Sequence, residues 1–169
     1  KNIIISPADG KVIALDTVQD GEIPFTIKNG EMIYLPELKG IIEGNFTMVS
    51  IFMGLFDVHV NRAPISGQVI DIIYIEGGHL PAFGNVLIEN ERNIVVIDGD
   101  IRTVTVQIAG TAARRIDCYV DEGQILERGD RIGIIKLGSQ VVVMYPSSSS
   151  TTIKIGDNVK AGETVIAEI

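Results

Sequence analysis

The sequence predicts a mainly β fold in one domain spanning residues 1–169. Short runs of isoleucine and valine recur along it, and β-branched residues favour strands over helices. Eighteen glycines and six prolines cut those runs into strand-length pieces, the punctuation of a sandwich or barrel. Two pairs of segments also look alike, which points to repeated strand–turn–strand units.

The elements follow in order. Ile3 to Ile5 opens as a strand and runs into Ser6-Pro7-Ala8-Asp9-Gly10, a turn by composition. Lys11 to Val18 is a strand. Ile23 to Ile27 and Met32 to Leu35 flank Asn29-Gly30, a strong hairpin signal. Residues 36–45 form a polar connector with one helical turn expected at Leu38, and Phe46 to Phe52 is the next strand. Gly54 to Pro64 sets Asp57, His59, Asn61 and Arg62 among apolar residues. Ser66-Gly67 turns the chain into a strand from Gln68 to Ile75. Gly77 to Gly84 is expected to be a loop holding His79, and Glu89 to Arg92 a charged turn. Ile94 to Ile97, Thr103 to Ala109, Arg115 to Val120, Ile132 to Ile135 and Val141 to Tyr145 are strands. Ser147 to Thr152 is a small-polar loop.

The first similar pair is Pro7 to Ile13 and Pro64 to Ile70. The second is Ile125 to Gly133 and Val159 to Ile166. Stacking such units on one another resembles the barrel-sandwich of biotinyl and lipoyl carrier domains, built larger. No linker is long enough to separate two domains.

Composition excludes several classes. A hydrophobic fraction of 46% is ample for a core. A net charge of −8 argues against nucleic-acid binding and gives no global attraction to anionic membranes. The single cysteine, Cys118, rules out an intramolecular disulfide and is expected to be a small core residue. No apolar run reaches membrane-spanning length. The chain opens inside a strand without an initiator methionine, so its natural N-terminus is expected to be missing.

A catalytic histidine must be His59 or His79. An extended Asp57-Val58-His59 puts the carboxylate and the imidazole on one face, where the first can orient the second. An idle surface pair reads the same way. Asp9 is a turn residue by composition, or a carboxylate held rigidly at a strand end. Asp57, His59 and His79 lack metal-ligand spacing, so no metal is expected. Lys136-Leu137-Gly138-Ser139-Gln140, between two apolar runs, is an ordinary turn on its own terms.

Taken together, Ser6 to Val12, Phe56 to Gly67, Asn90 to Asn93, Gly110 to Arg115 and Leu137-Gly138-Ser139 resemble the phosphatidylserine decarboxylase family in its short prokaryotic form. The resemblance runs from Ser6 to at least Pro146. It implies a proenzyme that cuts itself between Gly138 and Ser139, giving a β chain of 1–138 and an α chain of 139–169 that stay together. It implies a pyruvoyl group made from Ser139, which decarboxylates phosphatidylserine to phosphatidylethanolamine through a Schiff base. Asp9 matches the family's maturation aspartate, Ser139 its nucleophile and His59 the histidine of the decarboxylation step. Where many members carry a second histidine, this chain has Arg62, which cannot act as a base. Arg62 reads either as a clamp on the substrate carboxylate or phosphate, or as an ion pair with Asp57 or Glu91. Arg114 and Arg115 are further head-group candidates.

The resemblance also implies a phospholipid partner at the cytoplasmic face of the cell membrane. Met48, Met53, Leu55 and Phe56 are candidates for a membrane-facing rim, with core packing the commoner fate of such residues. A short detached strand at a sheet edge would favour a homodimer. Two other readings stand beside this one: a decarboxylase of an archaeal ether-linked serine lipid, and a non-catalytic barrel-sandwich carrier or interaction module. A carrier needs a lysine at a hairpin apex, whereas Lys136 only neighbours the turn.

Overall fold

The structure, a computed structural model, describes residues 2–28, 30–57, 60–82, 85–109, 115–136 and 139–169, with 78–82 and 85–89 described by backbone alone. In chain order its strands are β1 Ile3–Ile5, β2 Gly10–Val18, β3 Phe25–Lys28, β4 Glu31–Tyr34, β5 Phe46–Met53 and β6 Val60–Arg62. Next come β7 Gly67–Ile75, β8 Gly78–Ala82, β9 Asn85–Glu89, β10 Arg92–Asp98, β11 Arg102–Ile108 and β12 Ile116–Cys118. The last are β13 Ile125–Leu126, β14 Arg131–Ile135, β15 Ser139–Pro146, β16 Ser150–Thr151, β17 Asn158–Val159 and β18 Val165–Glu168. Among the described residues the one helical turn is a 3-10 turn at Pro36–Leu38, where Leu38 is buried.

The main sheet has eight antiparallel strands in the order β13-β7-β10-β11-β15-β5-β2-β17 and curls into a half-barrel. This is the predicted barrel-sandwich class. The three-stranded sheets β1-β18-β16 and β12-β14-β6 cover one face, joining Ile4, Ile166, Ile132 and Ile135 to Ile51, Val95, Val141 and Val143. On the other face Ile33, Leu35 and Leu38 pack on Val96, Val106, Val142 and Met144. Strand β15 is thus covered on both sides, which is why Val141 to Tyr145 is continuously apolar rather than alternating.

The internal similarities are structural. Ile5 donates its N–H to the Pro64 carbonyl at 3.1 Å, and Arg62 donates to that of Pro7 at 2.9 Å. These are reciprocal bonds between the two Pro-led segments. The second pair of repeats serves the first: β13 lies on β7 at Gly67, and β17 on β2 at Gly10. Both glycines are required by close approach. A Cβ at Gly10 would lie 2.1 Å from the Phe52 carbonyl oxygen, and one at Gly67 2.3 Å from that of Asp98.

Several expectations are corrected. Within Gly77 to Gly84, residues 78–82 are not loop but β8, paired with β9 with His79 opposite Ile88, because Val86-Leu87-Ile88 supplies an apolar, largely β-branched partner run. The charged turn is largely inside, with Glu91 and Arg92 buried and Arg92 paired to Glu37. Cys118 is exposed, on the outer strand of its small sheet. Ser150–Thr151 is not loop but β16, paired with β18. Finally, β15 is an interior strand with partners on both sides rather than an edge strand.

Candidate active site

Ser139 is the first residue of β15 and is fully buried. It pairs with Met53, the last residue of β5, and its Oγ lies 3.6 Å from the Met53 sulfur. The Asn61 side-chain amide approaches the same sulfur at 3.7 Å and donates to the Pro7 carbonyl at 3.3 Å. Gln107 Nε2 donates to Asn61 Oδ1 at 2.9 Å, and Asn93 Nδ2 donates to Gln107 Oε1 at 3.1 Å. A buried chain of amides therefore runs from Asn93 to the sulfur beside Ser139. Such a chain is costly in a core unless each member is bonded. Gly133 makes room for it, since a Cβ there would lie 3.0 Å from Gln107 Nε2 and 2.6 Å from the Asp117 carbonyl oxygen.

Asp9 sits just before Gly10, at the end of β2 that lies against Phe52 of β5. It therefore shares one end of the sheet with Ser139, across the strand between them. Its Oδ1 accepts the Ala161 N–H at 2.7 Å. The turn around it is closed by Ser6 Oγ, which donates to the Ala8 carbonyl at 2.7 Å.

The Arg62 guanidinium is engaged by a backbone carbonyl. Its Nη1 donates to the Gly129 carbonyl at 2.7 Å, and its side chain packs so closely on Gly162 that a Cβ there would lie 2.9 Å from Cδ. Asp57 is engaged by the Gly54 N–H at 2.7 Å instead. Glu91 accepts from the Tyr74 hydroxyl and from the Arg115 N–H, both at 2.6 Å. Ala109 donates to the Glu91 carbonyl and accepts from Asn90 Nδ2, both at 2.9 Å. Asn90-Glu91 thus grips Ala109 and Arg115, the residues that bracket 110–114. His59, Arg114, Leu137 and Gly138 lie outside the described residues.

The segment before the expected cut is held too. Lys136 donates its N–H to the Arg115 carbonyl at 2.8 Å, and its ammonium lies 3.5 Å from Asp117. On the other face of the sheet, the β3–β4 hairpin is fastened to the same strand: Gln140 Nε2 donates to Thr26 Oγ1 at 2.7 Å, and Thr26 bonds Ser50 at 3.0 Å. Two residues further along β3, Lys28 is buried under the hairpin. Burial first, and the Arg115 cation second, push its ammonium below the ordinary value of 10.5. A cleft of about 610 Å³, lined by Tyr74, Asn93, Ile116, Cys118 and Glu122 among others, reaches the far end of the amide chain. Among the described residues no cluster of His, Cys, Asp or Glu has the makings of a metal site.

The structure therefore brings Ser139 and Asp9 to one end of the sheet, with Arg115 anchored beside the strand that leads to Ser139. It adds Asn61, Gln107, Asn93, Glu91 and Lys28. Of these, Asn61, Glu91 and Asn93 stood inside motifs read in the sequence, and Gln107 and Lys28 did not.

These features define an all-β protein whose polar centre sits at the start of a central strand. Residues 1–167 match the family described as phosphatidylserine decarboxylase. The chain is 44% identical over 168 residues to a protein of Methanocaldococcus jannaschii named "Putative archaetidylserine decarboxylase proenzyme", covering 98% of this chain and 81% of that one. It is 39% identical over 172 residues to the phosphatidylserine decarboxylase proenzyme of Ralstonia pickettii, covering 99% and 71%. Among solved structures it is similar to glucose permease IIA of Mycoplasma capricolum, with a TM-score of 0.49, 16% identity and coverage of 99% and 95%. The chain belongs to the phosphatidylserine decarboxylase family and is an enzyme of that type, which sets aside the carrier reading.

Proposed function

We propose that the chain matures by cutting itself between Gly138 and Ser139 and then decarboxylates the serine head group of a membrane phospholipid, phosphatidylserine giving phosphatidylethanolamine and carbon dioxide. The observation that carries this is the position of Ser139: buried, first in a central strand, and at the end of the sheet that also holds Asp9. Loss of its hydroxyl proton lets Oγ attack the Gly138 carbonyl; the C–N bond breaks, leaving an ester and a free Ser139 amine. Removal of the Ser139 α-proton expels the Gly138 carboxylate by β-elimination. Water then replaces the nitrogen, releasing ammonia and leaving a pyruvoyl group at residue 139.

The residues present fit that group. A hydroxyl lies 3.6 Å from a soft sulfur, next to an amide chain that is already bonded, so no charge is buried in forming a neutral carbonyl there. The group supplies a carbonyl that draws electrons from the bond to the substrate's carboxylate. The chain's own residues do the rest. His59 holds and returns the proton, Asp9 orients the maturation chemistry, and Arg115 with Arg114 meets the anionic head group. Arg62, committed to Gly129, holds the Pro7 turn that carries Asp9. Fragments 1–138 and 139–169 remain one particle, because β15 pairs along its length with both β5 and β11. The enzyme works peripherally at a membrane, on its cytoplasmic face.

The relatives at 44% and 41% identity carry archaetidylserine names, which favours an ether-linked lipid with the same head group as an alternative substrate. Intact mass under denaturing conditions tests the maturation. Two fragments divided before residue 139, the smaller refractory to Edman degradation, are expected. Ser139→Ala should stay whole and His59→Ala should cut more slowly. A wild-type chain that stays whole on long incubation would overturn the proposal. Parallel assays with ester- and ether-linked serine lipids separate the two substrates.

A further inference from the structure

The β3–β4 hairpin is amphipathic in the wrong sense for a core element. In β3 the polar Thr26 and Lys28 face the sheet and are buried, while Phe25 and Ile27 face outward at 42% and 53% exposed. In β4 their cross-strand partners Tyr34 and Met32 are 54% and 50% exposed. Register places all four on one outer face. The rings of Phe25 and Tyr34 are 5.8 Å apart, and the Tyr34 hydroxyl reaches the Met32 sulfur at 3.8 Å. A slip of one residue would hide the apolar set. The Thr26 bonds to Ser50 and Gln140 forbid that slip, so the apolar face is held outward by the same contacts that fasten the hairpin beside Ser139.

The surface continues toward the site. Phe52 follows Ser50 on the hairpin side of β5 and is partly exposed. Beyond Met53, the partner of Ser139, the backbone turns at Gly54, and Leu55 and Phe56 stand out at 69% and 103% exposed. None of these side chains is charged. Exposed apolar side chains gathered on neighbouring elements in this way mark a surface that something covers.

We infer that this face is where the enzyme rests on a lipid bilayer, with the outer side of β3–β4 and the Leu55-Phe56 tip entering the interface. The inference rests on the lipid substrate proposed above. A lipid's head group must reach Ser139 while its chains stay in an apolar medium, and the apolar face is built on the elements that flank that serine. Aromatic and aliphatic side chains with a tyrosine among them suit the interfacial zone. Attraction comes from apolar burial rather than charge, so binding should be weakly sensitive to salt.

The test uses the processed full chain and vesicles of phosphatidylcholine with phosphatidylserine. Flotation should carry wild type with the vesicles, and Ile27→Glu and Phe56→Glu should each reduce the floated fraction about tenfold or more. Turnover of vesicle lipid should fall with it. Turnover of monomerically dispersed dihexanoyl phosphatidylserine, and self-cleavage, should stay within about twofold of wild type. Equal flotation of variants and wild type would overturn the inference. So would a wild-type dimer by light scattering that becomes monomeric in the variants, since a second copy would then cover the face. If wild type floats but turns over neither lipid, the proposed activity fails while the docking surface stands.

Discussion

At the scale of single residues, Lys28 is the least ordinary group near the site. The folded state holds its ammonium below 10.5, by burial first and by the Arg115 cation second. Between that lowered value and 10.5 the unfolded chain binds more protons than the folded one, so this group makes the protein more stable as pH rises through that window. Tyr145 opposes it at the alkaline end, because burial raises its hydroxyl above 10.0 and the unfolded chain ionises first; the bond to Thr151 only partly offsets this. Comparing wild type with Lys28→Met cancels the tyrosine. Denaturant titrations from pH 7 upward should show wild type gaining on the variant as pH approaches 10.5. A constant difference would mean that Lys28 is not held in this way.

At the scale of elements, strands were legible where a run rich in β-branched residues was bounded by a glycine or proline, as by Gly10 before Lys11 to Val18 and by Pro146 after Val141 to Tyr145. The β3–β4 hairpin carried a strong local signal, and a helical turn at Leu38 was expected and is present. What stayed hidden was set by partners far along the chain. Glu91 is buried because Tyr74 and Arg115 satisfy it, and Arg92 because Glu37 does. Nothing local announces either pairing. The amides of Asn61, Gln107 and Asn93 give no sign in the sequence of belonging together until four strands bring them and Ser139 into one place. Glycines 77 and 78 suggested a loop, but β8 is set by its partner run. Strand β15 yields its own expectation. It is bonded on both sides and continuously apolar from Val141 to Tyr145, so after self-cleavage the piece 139–169 should co-elute with 1–138 on gel filtration and separate only in denaturant. Separation without denaturant would show that the ladder alone does not hold it.

At the scale of the whole molecule, the pseudo-repeat supplies a control for Asp9. Pro64 to Ile70 repeats Pro7 to Ile13, which makes Ser66 the counterpart of Asp9. The counterpart contact is present: Ser66 Oγ accepts the Arg128 N–H at 2.8 Å, as Asp9 Oδ1 accepts that of Ala161 at 2.7 Å. Closing the turn therefore requires only an oxygen acceptor, and the other half of the molecule manages with a hydroxyl. A carboxylate at residue 9 exceeds that structural need, and it stands at the end of the sheet that holds Ser139. Asp9→Ser converts this turn to the chemistry of its counterpart. Because the acceptor is kept, stability should change by about 1 kcal/mol or less. Self-cleavage, if the carboxylate orients the maturation chemistry, should slow by about a hundredfold. Thermal unfolding and the time course of intact mass, measured on one preparation, read the two effects separately. Cleavage at the wild-type rate would reduce Asp9 to a turn residue. A large loss of stability alongside slow cleavage would show that the two turns are not equivalent and that the carboxylate serves the fold.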